Sequence, residues 1–276
     1  MIACVDGRWV EADHAAIPIT DRGFLFGHAV FETIRMLDAR LFRLSDHLAR
    51  LHAGAAAVGV PVPDADRLRA LARELVRRND VADAVLRITA TTGSSDEAPR
   101  LILQLEPMPA DWDERVRRGW RLITASVRHP PPAVSPPHIK TPGRLHAILA
   151  RREARAAGAD DALLLDLDDH VTEGPSWNVF WSDGATLHTP ATDLGVLPGV
   201  TRATVLEVAT SLSVPVRQGV YPRGALDGAS ELFVTMTSLG PVPVRSLDGR
   251  AFTGGDAPIF EAVREAYWTR ARRDGE

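Results

Sequence analysis

Residues 138–180 read HIKTPGRLHAILARREARAAGADDALLLDLDDHVTEGPSWNVF, and within them Lys140 is the one lysine among the 32 lysine and arginine residues of the chain. A chain that otherwise uses arginine for positive charge keeps a lysine for what arginine cannot do. An ε-amine can lose its proton and attack a carbonyl, whereas a guanidinium stays charged. Thr141-Pro142-Gly143 then turns the chain. Leu145, Ile148, Leu149 and Arg152 recur at helical spacing and predict a helix over Arg144 to Ala157, closed at Gly158. Ala162 to Leu165 has the apolar run of a buried strand, and Asp168-Asp169-His170 marks a turn. Val171 to Phe180 leads into a second strand that ends at Ser182-Asp183-Gly184.

Toward the N-terminus, Ile2 to Val10 reads as a hairpin around Asp6-Gly7. Asp21 to Arg35 is an aromatic, glycine-bearing loop running into a strand. Ser45 is the expected N-cap of a helix with Leu44, Leu48, Leu51, Ala55 and Val58 on one face, and Arg50 lies on this helix. Asp66 to Arg78 reads as a second amphipathic helix. Ala84 to Thr91 and Leu101 to Glu106 read as strands joined by a polar loop, Thr92 to Glu97, and Arg121 to Val127 as another strand. Pro130, Pro131, Pro132, Pro136 and Pro137 suggest a stiff linker. The expected division is therefore an N-terminal domain over 1–126, a linker over 127–137 and a C-terminal domain over 138–276.

Beyond the opening stretch, Gly195 to Arg202 precedes a helix with Val205, Val208, Ala209 and Leu212 on one side. A glycine-bearing turn at a helix start offers backbone amides and the positive dipole end to a phosphate. Leu232 to Val234 reads as a strand, Thr235 to Pro241 as the turn after it, and Ile259, Phe260, Val263 and Tyr267 as one face of a last helix.

The succession of Ile139-Lys140, a helix, a strand, Thr172-Glu173-Gly174 and Asn178-Val179-Phe180 resembles the core of the fold type IV pyridoxal-phosphate enzymes, the class IV aminotransferases. That family holds branched-chain, D-amino-acid and (R)-amine transaminases and aminodeoxychorismate lyases. The resemblance covers nearly the whole chain. It implies an α/β (α+β) fold of two domains with the site between them and close to a subunit boundary, hence a homodimer. It implies pyridoxal 5'-phosphate held as a Schiff base on Lys140, with Glu173 beside the ring nitrogen. Arg50, Val200, Thr201, Thr237 and Ser238 then match the phosphate contacts. Phe26 and Phe31 match walls of the substrate pocket. Arg144 stands where many members have tyrosine, and is either a cofactor contact or a helix-surface charge.

D-amino-acid transaminases of the family usually carry a carboxylate-binding arginine in the loop Thr92 to Glu97. Here Ser95, Asp96 and Glu97 stand instead, and Arg100 is out of register. His28, at the end of the first signature, is either a substitute grip on the carboxylate or a structural residue of its turn. The expected activity is transfer of an amino group from a D-amino acid or (R)-amine to a 2-keto acid. The alternatives are release of pyruvate from aminodeoxychorismate and transamination of branched-chain L-amino acids.

Composition sets the bounds. The chain has 276 residues, 45% hydrophobic and 25% charged, which suits a soluble globular protein. A net charge of −4 argues against a nucleic-acid binder. Cys4 is alone, so no intrachain disulfide forms and a reducing cytoplasm is expected. No apolar run approaches the roughly 18 residues of a membrane span. The histidines show no metal-ligand spacing, and Asp166, Asp168 and Asp169 lack the glycine and terminal glutamate of a calcium loop.

Overall fold

The structure, a computed structural model, describes residues 1–95, 98–252 and 257–276. The chain forms two compact units: Met1–Pro109 with His138–Gly143 and Ala271–Glu276, and Ala110–Pro137 with Arg144–Arg270.

The first unit contains β1 (Ile2–Val5), β2 (Arg8–Glu11), α1 (Arg22–Phe26), β3 (Ala29–Leu37), β4 (Arg40–Leu41), α2 (Leu44–Val58), α3 (Ala65–Asn79), β5 (Ala84–Thr91) and β6 (Arg100–Pro107). Among the described residues these strands form a six-stranded antiparallel sheet in the order β2-β1-β6-β5-β3-β4. Along β3 the side chains alternate between faces. Val30, Ile34 and Met36 join a core with Leu44, Leu48 and Leu51 of α2, Leu68, Leu71 and Leu75 of α3, and Leu86 and Ile88 of β5. Burying each such leucine is worth about 1.5–3 kcal/mol. Cys4 lies buried in this core. Glu32 shares the face of Val30 and Ile34 and is fully buried, a placement that demands charged or hydrogen-bonding partners.

The second unit contains α4 (Trp112–Arg118), β7 (Trp120–Thr124), α5 (Leu145–Ala156), β8 (Asp161–Leu163), β9 (Asn178–Ser182), β10 (Leu187–Pro190), α6 (Val200–Ser211), β11 (Val216–Gly219), β12 (Glu231–Met236), β13 (Gly240–Leu247), β14 (Arg250–Ala251) and α7 (Pro258–Arg273), whose end passes into the first unit. Its sheet, eight-stranded among the described residues, runs β11-β10-β9-β12-β13-β7-β8, with β14 paired to β13. Trp177, Val179, Trp181, Leu232, Val234 and Val242 fill its core.

The units do not follow the expected division. β7 pairs in parallel with β13 and β8, which places it in the second unit, and the proline-rich stretch goes with it. His138–Gly143 belongs instead to the first unit, because Phe31 N donates to Lys140 O at 3.0 Å along the part of β3 that β4 leaves open. Ser45 does not cap α2. The N-cap is Arg43, in the left-handed region at φ 52°, and Ser45 N and Oγ both donate to Glu276 Oε1. The short helix α1 was hidden in the aromatic loop. Its cap is Asp21, whose Oδ1 accepts from Gly23 N and Phe24 N. No described helix is long and apolar enough to cross a membrane.

Candidate active site

In the first unit, Lys140 is fixed at its backbone by Phe31, and its Nζ stands 4.7 Å from the centre of the Phe31 ring. The next residue, Thr141, donates its hydroxyl to Gly27 O at 3.0 Å. In the antiparallel register Thr33 faces Arg87 of β5. Phe31 and Thr33 share a face, so Arg87 is a diagonal neighbour of Phe31. Its guanidinium carbon lies 4.0 Å from the centre of the same ring. Burial lowers the Arg87 pKa, and Glu106 opposes that shift. Among the described residues no carboxylate hydrogen-bonds Arg87. One aromatic ring thus carries the chain's only primary side-chain amine and a desolvated cation.

On the other face of β3, Glu32 Oε1 accepts from Arg50 Nε at 2.6 Å, and Oε2 accepts from Arg50 Nη2 and His47 Nδ1, both at 2.7 Å. His47 and Arg50 are three residues apart and meet the strand from one side of α2. Burial alone would raise the Glu32 pKa, but His47 and Arg50 bring it well below the usual carboxylate range. Burial keeps the His47 pKa low, so the ring is neutral and donates Nδ1–H. Arg50, expected at a phosphate, is thus first of all the bidentate partner of a buried carboxylate. Nothing in the sequence pattern marked Glu32. The available signal was a single acid on an apolar strand face.

His28 is held on both sides of its ring. Nε2 is 2.7 Å from Val58 O, a carbonyl that can only accept, and Nδ1 is 3.4 Å from Thr92 Oγ1. These contacts tie the ring to the end of α2 and to the residue after β5. Asp21 Oδ2 also accepts from Thr91 Oγ1 at 2.8 Å, tying the loop to the end of β5. Phe26 is 77% exposed rather than lining a pocket of its unit, and Phe24 is 65% exposed. Of the loop expected to lack a carboxylate-binding arginine, Asp96 and Glu97 lie outside the described residues.

In the second unit, a tight turn from Glu173 to Asn178 presents Glu173, which is 3% exposed. Its Oε2 accepts from Asn178 Nδ2 at 3.1 Å and from Leu197 N at 3.0 Å, and its Oε1 from Arg144 Nη2 at 3.1 Å. Arg144 is the N-cap of α5 and turns inward, so it is not a helix-surface charge. His129 and His146, which the sequence did not single out, pack edge to face beside this group. Burial, then Arg144 and His129, push the His146 pKa down to about 4.

The start of α6 carries no side-chain cap on Gly199, while Val200 and Thr201 are buried. A Cβ on Gly199 would stand 2.1 Å from Asn178 Oδ1, so only glycine fits there. Thr237 and Ser238 form the turn between β12 and β13, and the neighbouring Thr235 Oγ1 is buried with no hydrogen-bond partner among the described residues. Amides at a helix start, two hydroxyl residues in a turn and an orphaned buried hydroxyl suit a phosphate-bearing ligand. A buried carboxylate already surrounded by donors suits a ring nitrogen that carries a proton. The donor set therefore fits the cofactor that the resemblance implies. Elsewhere in this unit Asp166, Asp168 and His170 bring ligand atoms together, but Asp166 accepts from the other two and so closes their turn.

Residues 29–247 match the amino-transferase class IV family model, and the chain belongs to that family. It is 33% identical over 273 residues to a provisionally named branched-chain-amino-acid aminotransferase of Methanocaldococcus jannaschii, covering 95% of this chain and 94% of that one. It is 30% identical to the D-alanine aminotransferase of Bacillus licheniformis, again over 95% and 94%. The branched-chain amino acid aminotransferase of T.th., solved with pyridoxamine 5'-phosphate, superposes with a TM-score of 0.92 at 29% identity, over 99% of this chain and 94% of that one. The chain is accordingly a fold type IV, pyridoxal-phosphate-dependent aminotransferase with an α/β fold.

Proposed function

We propose that this aminotransferase moves the amino group between branched-chain L-amino acids and a 2-keto acid. The observation that carries the reading is the Arg87–Phe31–Lys140 arrangement. It brings the amine that must reach the substrate carbon and a cation able to grip a carboxylate to one aromatic ring. The names of the M. jannaschii relative and of the structure solved with pyridoxamine 5'-phosphate support the same substrate class. Arg87 takes the role for which an arginine in the loop 92–97 was sought, and His28 is released from it.

When bound, pyridoxal phosphate supplies an aldehyde for the amine and a ring that accepts electrons. Lys140 would hold the cofactor through its ε-amine and, when free, would serve as the base that moves a proton at the substrate. Glu173 would stand as the carboxylate partner of the ring nitrogen. Arg144 would hold Glu173 in place through its contact with Oε1. Val200, Thr201, Thr237 and Ser238 bind the phosphate, with Arg50 as a further contact beside its bond to Glu32.

The D-alanine aminotransferase relative favours a second reading, in which the donor is a D-amino acid or (R)-amine. A panel of D- and L-amino acids and of (R)- and (S)-amines, each followed by formation of the new amino acid, separates the two. Turnover of leucine, isoleucine and valine in the L-series alone is expected, and turnover confined to the D- and (R)-series would overturn the proposal. Pyruvate released from aminodeoxychorismate without added keto acid would instead identify a lyase.

The working unit is a homodimer in a reducing cytoplasm. Its support is the exposed apolar run of Ile19, Phe24, Leu25 and Phe26 on and before α1, a patch that a second copy of this chain would cover. Sedimentation of the wild type and of Phe24→Asp is expected to give a dimer and a weakened dimer. An active wild-type monomer at assay concentration would refute it.

A further inference from the structure

The second unit holds a histidine behind Glu173 that no role above uses. His129 is 3% exposed, and its amide donates to Leu165 O at 2.8 Å. Its Nδ1 lies 2.9 Å from Pro130 O. A carbonyl only accepts, so Nδ1 carries a proton. Its Nε2 lies 3.4 Å from Glu173 Oε1. The Nε2 edge of the ring thus faces the carboxylate oxygen. Gly195 makes the room: at φ +92° it takes a backbone shape glycine favours, and a Cβ there would lie 3.4 Å from His129 Cε1 and 3.3 Å from Pro130 O. The other charges near the carboxylate are Arg144, in contact with Oε1, and the buried Arg202, whose pKa Glu173 helps to hold up against burial. His146 is neutral at neutral pH.

We propose that His129 is a positioning residue for Glu173, its Nε2 edge set against Oε1 so that the carboxylate keeps the orientation the cofactor ring requires. The inference rests on the reading of Glu173 as the partner of the ring nitrogen. A side chain that only filled space would not set one ring nitrogen against that oxygen while a backbone carbonyl fixes the opposite nitrogen. The carboxylate is then pinned at both oxygens: Asn178 and Leu197 hold Oε2, and Arg144 and His129 hold Oε1.

The test pairs kinetics with nitrogen NMR of the holoenzyme labelled in its histidines. Glu173→Gln is expected to move the His129 Nε2 resonance and leave Nδ1 nearly in place. His129→Leu should lower kcat roughly tenfold, the loss of one hydrogen bond to a charged group. His129→Gln, whose amide nitrogen can stand where Nε2 stood, should recover most of that loss. In the Glu173→Gln background, His129→Leu should change kcat little further. An Nε2 resonance unmoved by Glu173→Gln, or His129→Leu losses that simply add to those of Glu173→Gln, would overturn the proposal. If Glu173→Gln moves Nε2 but leaves kcat at the wild-type value, the contact stands and the assignment of Glu173 to the ring nitrogen falls.

Discussion

Glu32 and Glu173 are both buried carboxylates, each with an arginine and a histidine against it, and they do different work. Glu32 is closed: Arg50 takes it bidentately, His47 takes the remaining lone pair of Oε2, and its side chain has no accessible surface. Its partners come from the adjoining helix face, so the cluster ties α2 to β3 within the hydrophobic core. Glu173 is held by single contacts from a helix cap, an asparagine, a backbone amide and a histidine. Four separate groups surround the carboxylate without one partner monopolising it. The difference shows that a buried acid with an Arg–His pair is not by itself a catalytic signature. What matters is whether its donors come as one bidentate clamp or as a cup.

The largest effect expected is at the amine in the unit that holds the first carboxylate. Lys140→Ala should abolish turnover and borohydride-stable attachment of the cofactor while leaving the fold intact, since no second lysine can substitute. Peptide mapping of the reduced wild type should find the cofactor on Lys140, and a label on the N-terminal amine instead would refute the assignment. Exchanging the two acids tests the comparison directly. Glu173→Gln should lower kcat by roughly two to three powers of ten with little change in stability. Glu32→Gln should do the reverse, costing about 3–5 kcal/mol in urea unfolding because Arg50 loses its charged partner, with kcat per folded molecule nearly unchanged. Equal stability losses in both variants would erase the distinction between clamp and cup.

A smaller change is expected at Arg87. Arg87→Leu should raise KM for amino-acid donors by about 1.5–3 kcal/mol of binding, and kcat should fall less. An unchanged KM would send the carboxylate contact elsewhere. The smallest effect is in the pH dependence. His47 and His146 have folded pKa values below the ordinary 6.5, so the unfolded chain binds their protons first. Stability should therefore fall as pH drops below 6.5, with the His146 contribution complete near pH 4. Glu32, also lowered, keeps its contribution down to its ordinary 4.5 and loses it only below that. His146→Asn should flatten part of the slope between pH 6.5 and 4 in urea midpoints, and an unaltered slope would show that His146 takes no part.

Much of the second unit was legible because its signals are local. A helix closed by Gly158, the turn that carries Glu173 and the glycine before α6 each depend on a few neighbouring residues. The strand over Ala84–Thr91 was read to its ends, because alternation and β-branched residues persist through it. The short helix α1 was missed because five residues show no helical period, and its Asp21 cap resembles any loop aspartate. Ser45 looked like a cap by its type. The bond that decides its place is with Glu276, at the far end of the chain.

The sequence by itself determined the family and the cofactor class and singled out the amine proposed to hold the cofactor, because each rests on residue identity at short spacing along the chain. Tertiary structure alone decided that Lys140 packs with the first unit, that Arg87 shares a ring with it, that His28 is consumed by Val58 and Thr92, and that His129 stands behind Glu173. Each of those depends on which backbone edge or ring nitrogen meets which distant partner. Side-chain type constrains such pairings, but chain folding chooses among them, since many pairings satisfy the same hydrogen-bonding needs and only the packed core selects one.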